Sequence, residues 1–215
     1  MNFFTTSFNG DPNLGMYGFA TNKYILLGSG IFKKELEDKL NAKIINTTIS
    51  GTNLVGLFCA GNSDKIIVPN IIEKHELEFL KEKLSVHVLE SRYTAIGNLI
   101  LLNDKGCIIS PLLERHKIEL EEFLGMKCQL SSVAGLNVTG SAALCNNNSC
   151  VVHPNSTREE METIEKVLGV NTGIATANFG SPFLGACLLA NDYGIIASEQ
   201  TTGPELSMID EIFSK

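Results

Sequence analysis

The sequence predicts an α/β fold in which five ββαβ repeats close into a ring of pseudo-five-fold symmetry, with the helices outside. The first observation behind this prediction is a pair of similar segments, GNLILLNDKGCIISP over residues 97–111 and GSAALCNNNSCVVHP over residues 140–154. Each has two short apolar runs around a polar turn, which is the pattern of a β-hairpin. The second observation is that three further copies align on the same glycine and the same turn asparagine.

The five copies share an anchor glycine and a turn asparagine at nearly constant spacing. The anchor glycines are Gly15, Gly56, Gly97, Gly140 and Gly185, and the turn asparagines are Asn22, Asn62, Asn103, Asn146 and Asn191. The asparagine follows the glycine by six residues in four copies and by seven in the first copy. We therefore predict one domain over residues 1–215, with repeats at approximately 9–48, 49–90, 91–131, 132–175 and 176–215, and with residues 1–8 closing the ring.

A helical pattern follows the hairpin in repeats two to five. The predicted helices cover residues 73–84, 114–125, 157–169 and 203–213. In the third of these, Thr157 and Glu160 form a capping-box pattern and Gly169 is placed to end the helix. Pro204 lies in the first turn of the last helix, where proline is well tolerated.

A third strand-like run follows the helix in the first four repeats but not in the fifth. These runs are AKIINTTI (42–49), VHVLESR (86–92), KCQLSSV (127–133) and NTGIATA (171–177). The N-terminus instead carries an orphan strand pattern, NFFTTSF, over residues 2–8. Because an open array would leave an unpaired sheet edge, we expect residues 2–8 to supply the last strand of the fifth repeat.

The charge balance limits the possible partners. The chain of 215 residues carries 17 basic and 24 acidic residues, a net charge of −7. A general binder of the phosphate backbone usually has the opposite sign, so we expect any nucleic-acid contact to be local or to depend on a protein partner. There is no apolar run long enough for a membrane span and no signal-peptide pattern, so we expect a cytoplasmic protein.

The cysteines and histidines predict no metal or cofactor. The six cysteines form no CxxC motif, and the four histidines are not spaced as zinc ligands. We expect the cysteines to be buried, reduced thiols that pack as small apolar side chains. Cys107 and Cys150 each follow the turn asparagine by four residues, so they occupy equivalent inward positions on a strand.

Six segments together resemble one known family over essentially the whole chain. They are GNSDKIIVPN (61–70), AIGNLILLND (95–104), VVHP (151–154), ATANFGS (175–181), LLANDYG (188–194) and TTGPELSMI (201–209). Their order and spacing are similar to those of the archaeal and eukaryotic translation initiation factor six family, which has the pentein fold. The chain carries no extended tail after the last helix, so it resembles the archaeal type.

The resemblance implies a function that requires no chemistry. Members of this family bind the large ribosomal subunit beside the sarcin-ricin loop and neighbouring ribosomal proteins, and they block its association with the small subunit. They also accompany maturation of the large subunit and are released by a translocase-like GTPase with an accessory maturation factor. We therefore expect a monomer that binds ribosomal proteins and ribosomal RNA on the large subunit, with no membrane partner.

The candidate ribosome-binding residues lie around the middle hairpins. In a ring all the hairpins point the same way, so their asparagines form a circle of groups that both donate and accept hydrogen bonds. The resemblance adds weight to this region. The candidates are Asn62, Arg92, Asn103, Asp104 and Asn146. The alternative is that each asparagine only stabilises its own turn.

Two other functions remain as alternatives. Pentein folds also include enzymes that modify guanidine groups, which need a nucleophilic cysteine, a histidine and carboxylates. In that family the cysteine comes after the last hairpin, whereas here the last cysteine, Cys187, is predicted inside the first strand of that hairpin, and His153 is interpreted as satisfying a turn. We therefore predict that the protein is not an enzyme. A general protein-interaction scaffold is the other alternative.

Overall fold

A computed structural model of the chain describes residues 2–31 and 34–214. Residue 1 of the predicted closing segment and residues 32–33 of the first repeat lie outside the described residues, as does residue 215. In the described part the backbone forms five three-stranded sheets and eight α-helices.

The strands and helices follow one another in the repeating order that the sequence predicts. The strands are β1 (Asn2–Thr6), β2 (Gly18–Ala20), β3 (Tyr24–Gly28), β4 (Lys43–Thr47), β5 (Ala60–Gly61), β6 (Lys65–Pro69), β7 (Ser85–Leu89), β8 (Ile100–Leu102), β9 (Cys107–Ile109), β10 (Cys128–Leu130), β11 (Ala143–Cys145), β12 (Ser149–Val152), β13 (Asn171–Ile174), β14 (Leu189–Ala190) and β15 (Gly194–Ser198). The helices are α1 (Lys34–Leu40), α2 (Val55–Phe58), α3 (Lys74–Lys81), α4 (Lys117–Leu124), α5 (Thr139–Ala142), α6 (Arg158–Leu168), α7 (Leu184–Cys187) and α8 (Gly203–Phe213), and 3₁₀ segments cover Leu14–Met16, Ile96–Asn98 and Pro111–His116.

Each sheet consists of an antiparallel hairpin and a parallel third strand. The orders are β2-β3-β4, β5-β6-β7, β8-β9-β10, β11-β12-β13 and β14-β15-β1. In the fifth sheet, Asn2 lies opposite Gly194 and Thr6 lies opposite Ser198, in parallel register. The prediction that the N-terminal strand completes the fifth repeat is therefore confirmed.

The core lies between the repeats. Five clusters of buried apolar side chains each combine residues from two repeats. Ile67 of the second repeat, for example, shares a cluster with Leu120 of the third. The cluster that contains Leu36 of the first repeat also contains Ile196 of the fifth. Since every cluster needs side chains from two repeats, we expect no repeat to be stable alone.

The anchor glycines do not lie in a strand as the hairpin pattern predicts. Each lies in a short helical turn that precedes a strand of two or three residues, and Cys187 likewise ends the helical turn α7 instead of lying in a strand. The reason is close backbone contact. A Cβ atom added to any anchor glycine would come within 3.0 Å of the backbone of the preceding one. The contacting pairs are Gly15 with Gly185, Gly56 with Gly15, Gly97 with Gly56, Gly140 with Gly97, and Gly185 with Gly140.

The longer helices begin and end largely where the sequence predicts. In α6 the Thr157 hydroxyl accepts from the amide of Glu160 at 3.2 Å, and Gly169 ends the helix with φ of +63°. The helix predicted over residues 114–125 differs, because the chain first forms the 3₁₀ segment Pro111–His116. The helix predicted over residues 73–84 ends earlier, at Lys81.

Three helices use an N-terminal glutamate to hold a tight turn of the neighbouring chain segment. The carboxylate of Glu76 accepts hydrogen bonds from the Thr48 hydroxyl at 2.5 Å and from the Ser50 and Gly51 amides at 2.8 and 2.9 Å. The carboxylates of Glu160 and Glu205 hold residues 132–135 and 176–180 in the same way. These turns need the glutamates because their residues have positive φ.

The hydrogen bonds decide the charge state of these glutamates. Burial alone would raise the pKa of Glu76, but the donors from Thr48, Gly51, Glu73 and Ser50 outweigh burial and lower the pKa below its usual value. The pKa values of Glu160 and Glu205 are lowered for the same reason. The carboxylates therefore stay ionised in the folded protein at neutral pH.

We expect Gly97→Ala to destabilise the protein by about 1–3 kcal/mol or more, because the new methyl group would overlap the backbone of Gly56. The free energy of unfolding from urea titration measures the effect. Gly203→Ala is the matched control, since no atom lies within 4 Å of the position of its Cβ, and this variant should have wild-type stability or slightly more. Equal stability of the two variants would contradict the close backbone contact.

We expect Glu76→Gln to lower the free energy of unfolding by about 1–3 kcal/mol at pH 7, because the charged acceptor is lost. A lowered folded-state pKa stabilises the protein above the unfolded-state pKa of about 4.3, and this stabilisation disappears as the pH falls through the folded-state pKa. The difference between wild type and variant should therefore shrink in acid. Glu78→Gln, on the exposed side of the same helix, should change stability by less than about 0.5 kcal/mol. A pH-independent difference for Glu76→Gln would refute this account.

Candidate functional site

The five hairpin turns meet on one face of the molecule. We call residues 21–23, 62–64, 103–105, 146–148 and 191–193 the turn face. Residues from all five turns line one cavity of about 30 Å³ at its centre. The prediction that the hairpins point the same way therefore agrees with the structure. Within each turn, the three successive positions have different surroundings.

The side chain at the first turn position is buried and accepts hydrogen bonds from the backbone of its own turn. It is asparagine in four turns, whereas in the first turn it is Thr21, whose hydroxyl accepts from the Lys23 and Tyr24 amides. The alignment of Asn22 with the other turn asparagines is therefore wrong. One residue earlier, a threonine hydroxyl accepts the amide hydrogen bonds that an asparagine oxygen accepts in the other turns. The side-chain oxygen of Asn103 accepts from the Lys105 and Gly106 amides, both at 2.9 Å.

The same asparagines also donate hydrogen bonds to the backbone of the neighbouring repeat. The Asn103 amide nitrogen donates to the carbonyl oxygens of Asn146 and Leu168, both at 3.0 Å. Asn146 donates to the Asn191 carbonyl at 3.2 Å. The predicted docking residues Asn62, Asn103 and Asn146 are only 5–7% exposed. The structure shows that these asparagines stabilise their turns, which was the alternative interpretation. Their contact with a partner stays a prediction.

The second turn position forms a belt of hydrogen bonds from turn to turn. The Asp104 carboxylate accepts from the Ser63 amide and hydroxyl, both at 2.8 Å, and from the Asn147 side chain at 2.8 Å. The Asn147 amide in turn donates to Asp192 at 2.9 Å, and the Asp192 amide donates to Asn22 at 3.0 Å. The belt fixes the turns relative to one another. Of the predicted site residues, Asp104 is the one that is exposed on this face.

The third turn position points outward and varies among the repeats, with four residue types at five places. Its residues are Lys23, Asp64, Lys105, Asn148 and Tyr193, and all five are exposed. Lys23 forms an ion pair with Asp64, and Tyr193 is 45% exposed. None of these five residues was among the candidate site residues predicted from the sequence. The available signal was the variation of this position among otherwise equivalent turns.

Arg92 does not belong to the turn face. It follows β7, whose last residue, Leu89, pairs with the far end of β6 at Pro69. The turn before β6 lies at the other end of the same strands, so the structure separates Arg92 from Asn62, Asn103 and the other candidates. Arg92 is exposed and lies over the ring of Tyr93, with 4.7 Å from the guanidinium carbon to the ring centroid.

Burial argues against a catalytic nucleophile at the cysteines, although a hydrogen bond with Cys107 lowers the pKa of the buried Cys128 thiol. All six are free and buried, as predicted. Burial raises the pKa of the Cys59, Cys150 and Cys187 thiols, and a protonated thiol is a poor nucleophile. His153 accepts a hydrogen bond from the Asn155 amide at 3.0 Å through Nδ1, so it satisfies a turn. The cavity of about 30 Å³ is far smaller than the roughly 300–1,000 Å³ of a small-molecule site.

The described residues show neither a cluster of metal ligands nor a membrane-spanning helix. No group of three or more histidine, cysteine or acidic side chains is arranged there to hold a metal ion. Likewise, none of the helices of residues 2–31 and 34–214 has the length and apolar character that crossing a membrane requires.

Known proteins match the chain over almost its whole length. A sequence model of the eIF-6 family matches residues 3–212. Translation initiation factor 6 of Pyrococcus horikoshii is 35% identical over 95% of both chains, and that of Thermococcus onnurineus is 37% identical over 95% of this chain and 94% of the relative. Translation initiation factor 6 of Methanocaldococcus jannaschii is 36% identical over 95% and 94%. These relatives are named as translation factors and not as enzymes, which favours the non-enzyme interpretation. The chain belongs to the eIF-6 family.

Proposed function

We propose that this protein acts in translation initiation by binding the large ribosomal subunit and preventing its association with the small subunit. The observation that carries the proposal is the turn face, where a repeated scaffold presents five outward side chains of four different types on one side. Membership of the eIF-6 family supports a ribosome-associated role. We propose that the protein works in the cytoplasm as a monomer and also takes part in maturation of the large subunit.

The turn face is the proposed docking surface. Its exposed third positions carry both charges, with Lys23 and Lys105 beside Asp64, and the belt adds Asp104 and Asp192. Such a mixed surface fits ribosomal proteins together with a local stretch of ribosomal RNA, near the sarcin-ricin loop, better than a continuous phosphate backbone. Asn62, Asn103 and Asn146 would contribute by keeping the turns in place. Release would then require a competing factor, such as a translocase-like GTPase or an accessory maturation factor.

We also propose that the five repeats close into one ring with the helices outside, the pentein arrangement. The glycine contacts support closure, because they run from repeat to repeat and include Gly15 with Gly185. The cluster that joins Leu36 to Ile196 supports it independently. An outer position of the helices is supported by their exposed apolar side chains, such as Ile118 at 71% and Met208 at 49%.

The binding proposal predicts that the protein co-sediments with archaeal large subunits and reduces the yield of joined ribosomes. Tyr193→Ala should weaken binding by about 5- to 100-fold, because exposed tyrosines at interface centres often carry about 1–3 kcal/mol. Sedimentation of labelled protein with purified subunits measures this effect.

Met208→Ala is the control for this experiment, since Met208 is similarly exposed but lies on the outer side of α8 in the same repeat. It should bind as wild type. If wild-type protein stayed free of large subunits at low and moderate salt, the proposed function would be refuted. If Tyr193→Ala and Met208→Ala both bound normally, Tyr193 would not be a contact between the turn face and the subunit.

The ring proposal predicts that deletion of residues 1–8 destabilises the whole fold. The deletion exposes one edge of β15 and removes the buried Phe8, for which a loss of about 3–5 kcal/mol is expected. The melting temperature should fall by about 6–20 °C. The control is the double substitution of Asn2 and Thr5 by alanine, since both residues are exposed on the same strand. A deletion variant with wild-type melting would contradict closure.

A further inference from the structure

A groove between the second and third repeats interrupts the five-fold pattern. It lies at the end of the strands opposite to the turn face, between residues 90–93 and the 3₁₀ segment Pro111–His116, and encloses about 550 Å³. In the second, fourth and fifth repeats, the residue fourteen positions after the first turn position is a glutamate that holds a tight turn. In the third repeat this residue is Lys117.

The chain segment that leads into the third repeat also differs. The turns held by Glu76, Glu160 and Glu205 each contain residues with positive φ, whereas residues 89–95 contain none. This segment therefore leaves the groove open, and the carboxylate that occupies the corresponding place in three other repeats is missing from this one.

The groove gathers unpaired positive charge. The chain has three arginines, and Arg158 is paired with Glu162 at 2.8 Å. The other two, Arg92 and Arg115, both line the groove. Among the residues that the structure describes, neither guanidinium lies within 4.0 Å of a carboxylate. In a chain with a net charge of −7, this concentration of free guanidinium groups is a specific local feature.

The surroundings of the two arginines suit a particular ligand. The Arg92 guanidinium lies over the ring of Tyr93 in a cation–π contact and donates one hydrogen bond from Nη2 to the Tyr93 hydroxyl, which leaves its remaining N–H groups for a ligand. A guanidinium binds a carboxylate through two parallel hydrogen bonds. Leu112, which is 38% exposed, supplies an apolar wall. Glu90 and Glu114 also line the groove, and they would repel the continuous negative charge of an RNA strand.

We propose that this groove is a docking site for a peptide segment of a partner protein that carries a carboxylate next to an apolar side chain. The carboxylate binds Arg92 and Arg115, in the place that a glutamate of the chain itself fills in three other repeats. The apolar side chain packs on Leu112. Because the groove lies away from the turn face, this partner can bind while the turn face is occupied, and the proposal does not depend on the proposed ribosomal function.

The test is fluorescence anisotropy of the full chain with a labelled peptide of roughly five residues that alternates glutamate and leucine. We expect a dissociation constant on the order of 0.1–1 mM. The same peptide with glutamine in place of glutamate should bind at least about five-fold more weakly, as should Arg92→Ala or Arg115→Ala with the acidic peptide. The Arg115 side chain makes no hydrogen bond or ion pair within the described residues, so its substitution should leave folding intact.

Lys74→Ala is the matched control, because Lys74 is a 90% exposed cation that does not line the groove. It should bind the acidic peptide as wild type. Three results would overturn the proposal: no binding of the acidic peptide, equal binding by the Arg92→Ala and Arg115→Ala double variant, or preferential binding of an oligouridylate of about ten nucleotides that these substitutions abolish.

Discussion

Backbone contact between the anchor glycines is the constraint on which the rest of the structure depends. At each of these contacts a Cβ atom would come within 3.0 Å of another repeat's backbone. Every residue other than glycine would place a Cβ atom in this contact. Glycine therefore allows the helical turns to approach one another more closely than any other residue would. This approach brings the five sheets close enough for their apolar side chains to form cores between repeats, as Ile67 and Leu120 do. It also brings the hairpin turns together around one small cavity.

Most of the fold follows from the repeat, because each copy must fit the same neighbours. The repeat pattern predicted the three-stranded units and the pairing of the N-terminal strand, and the capping residues predicted the helix ends at Thr157 and Gly169. Two details could not be predicted in this way. A threonine hydroxyl replaces the asparagine oxygen at Thr21, and residue identity does not reveal that equivalence. The helical turns around the anchor glycines depend on contacts between distant repeats, which an apolar run does not encode.

The proposed docking surface was harder to predict than the fold, because the repeated residues are those that the scaffold needs. Asparagine recurs at the position of Asn103 because its side chain hydrogen-bonds to its own turn and to a carbonyl of the neighbouring repeat. These hydrogen bonds also require that the side chain be buried. Residues available to a partner are those that vary among equivalent positions, such as Tyr193. The same reasoning applies at the opposite end of the strands, where Lys117 stands in place of a repeated glutamate and Arg92 and Arg115 line a groove.

The proposed function depends on docking of the turn face on the large ribosomal subunit. A cryo-EM structure of the protein bound to an archaeal large subunit tests it most directly. The account predicts that the turn face lies against the subunit, with Tyr193 and Asn148 in contact and the groove at Arg92 open to solvent. A complex in which the opposite end of the strands lies against the subunit would contradict the account, as would the failure of any complex to form.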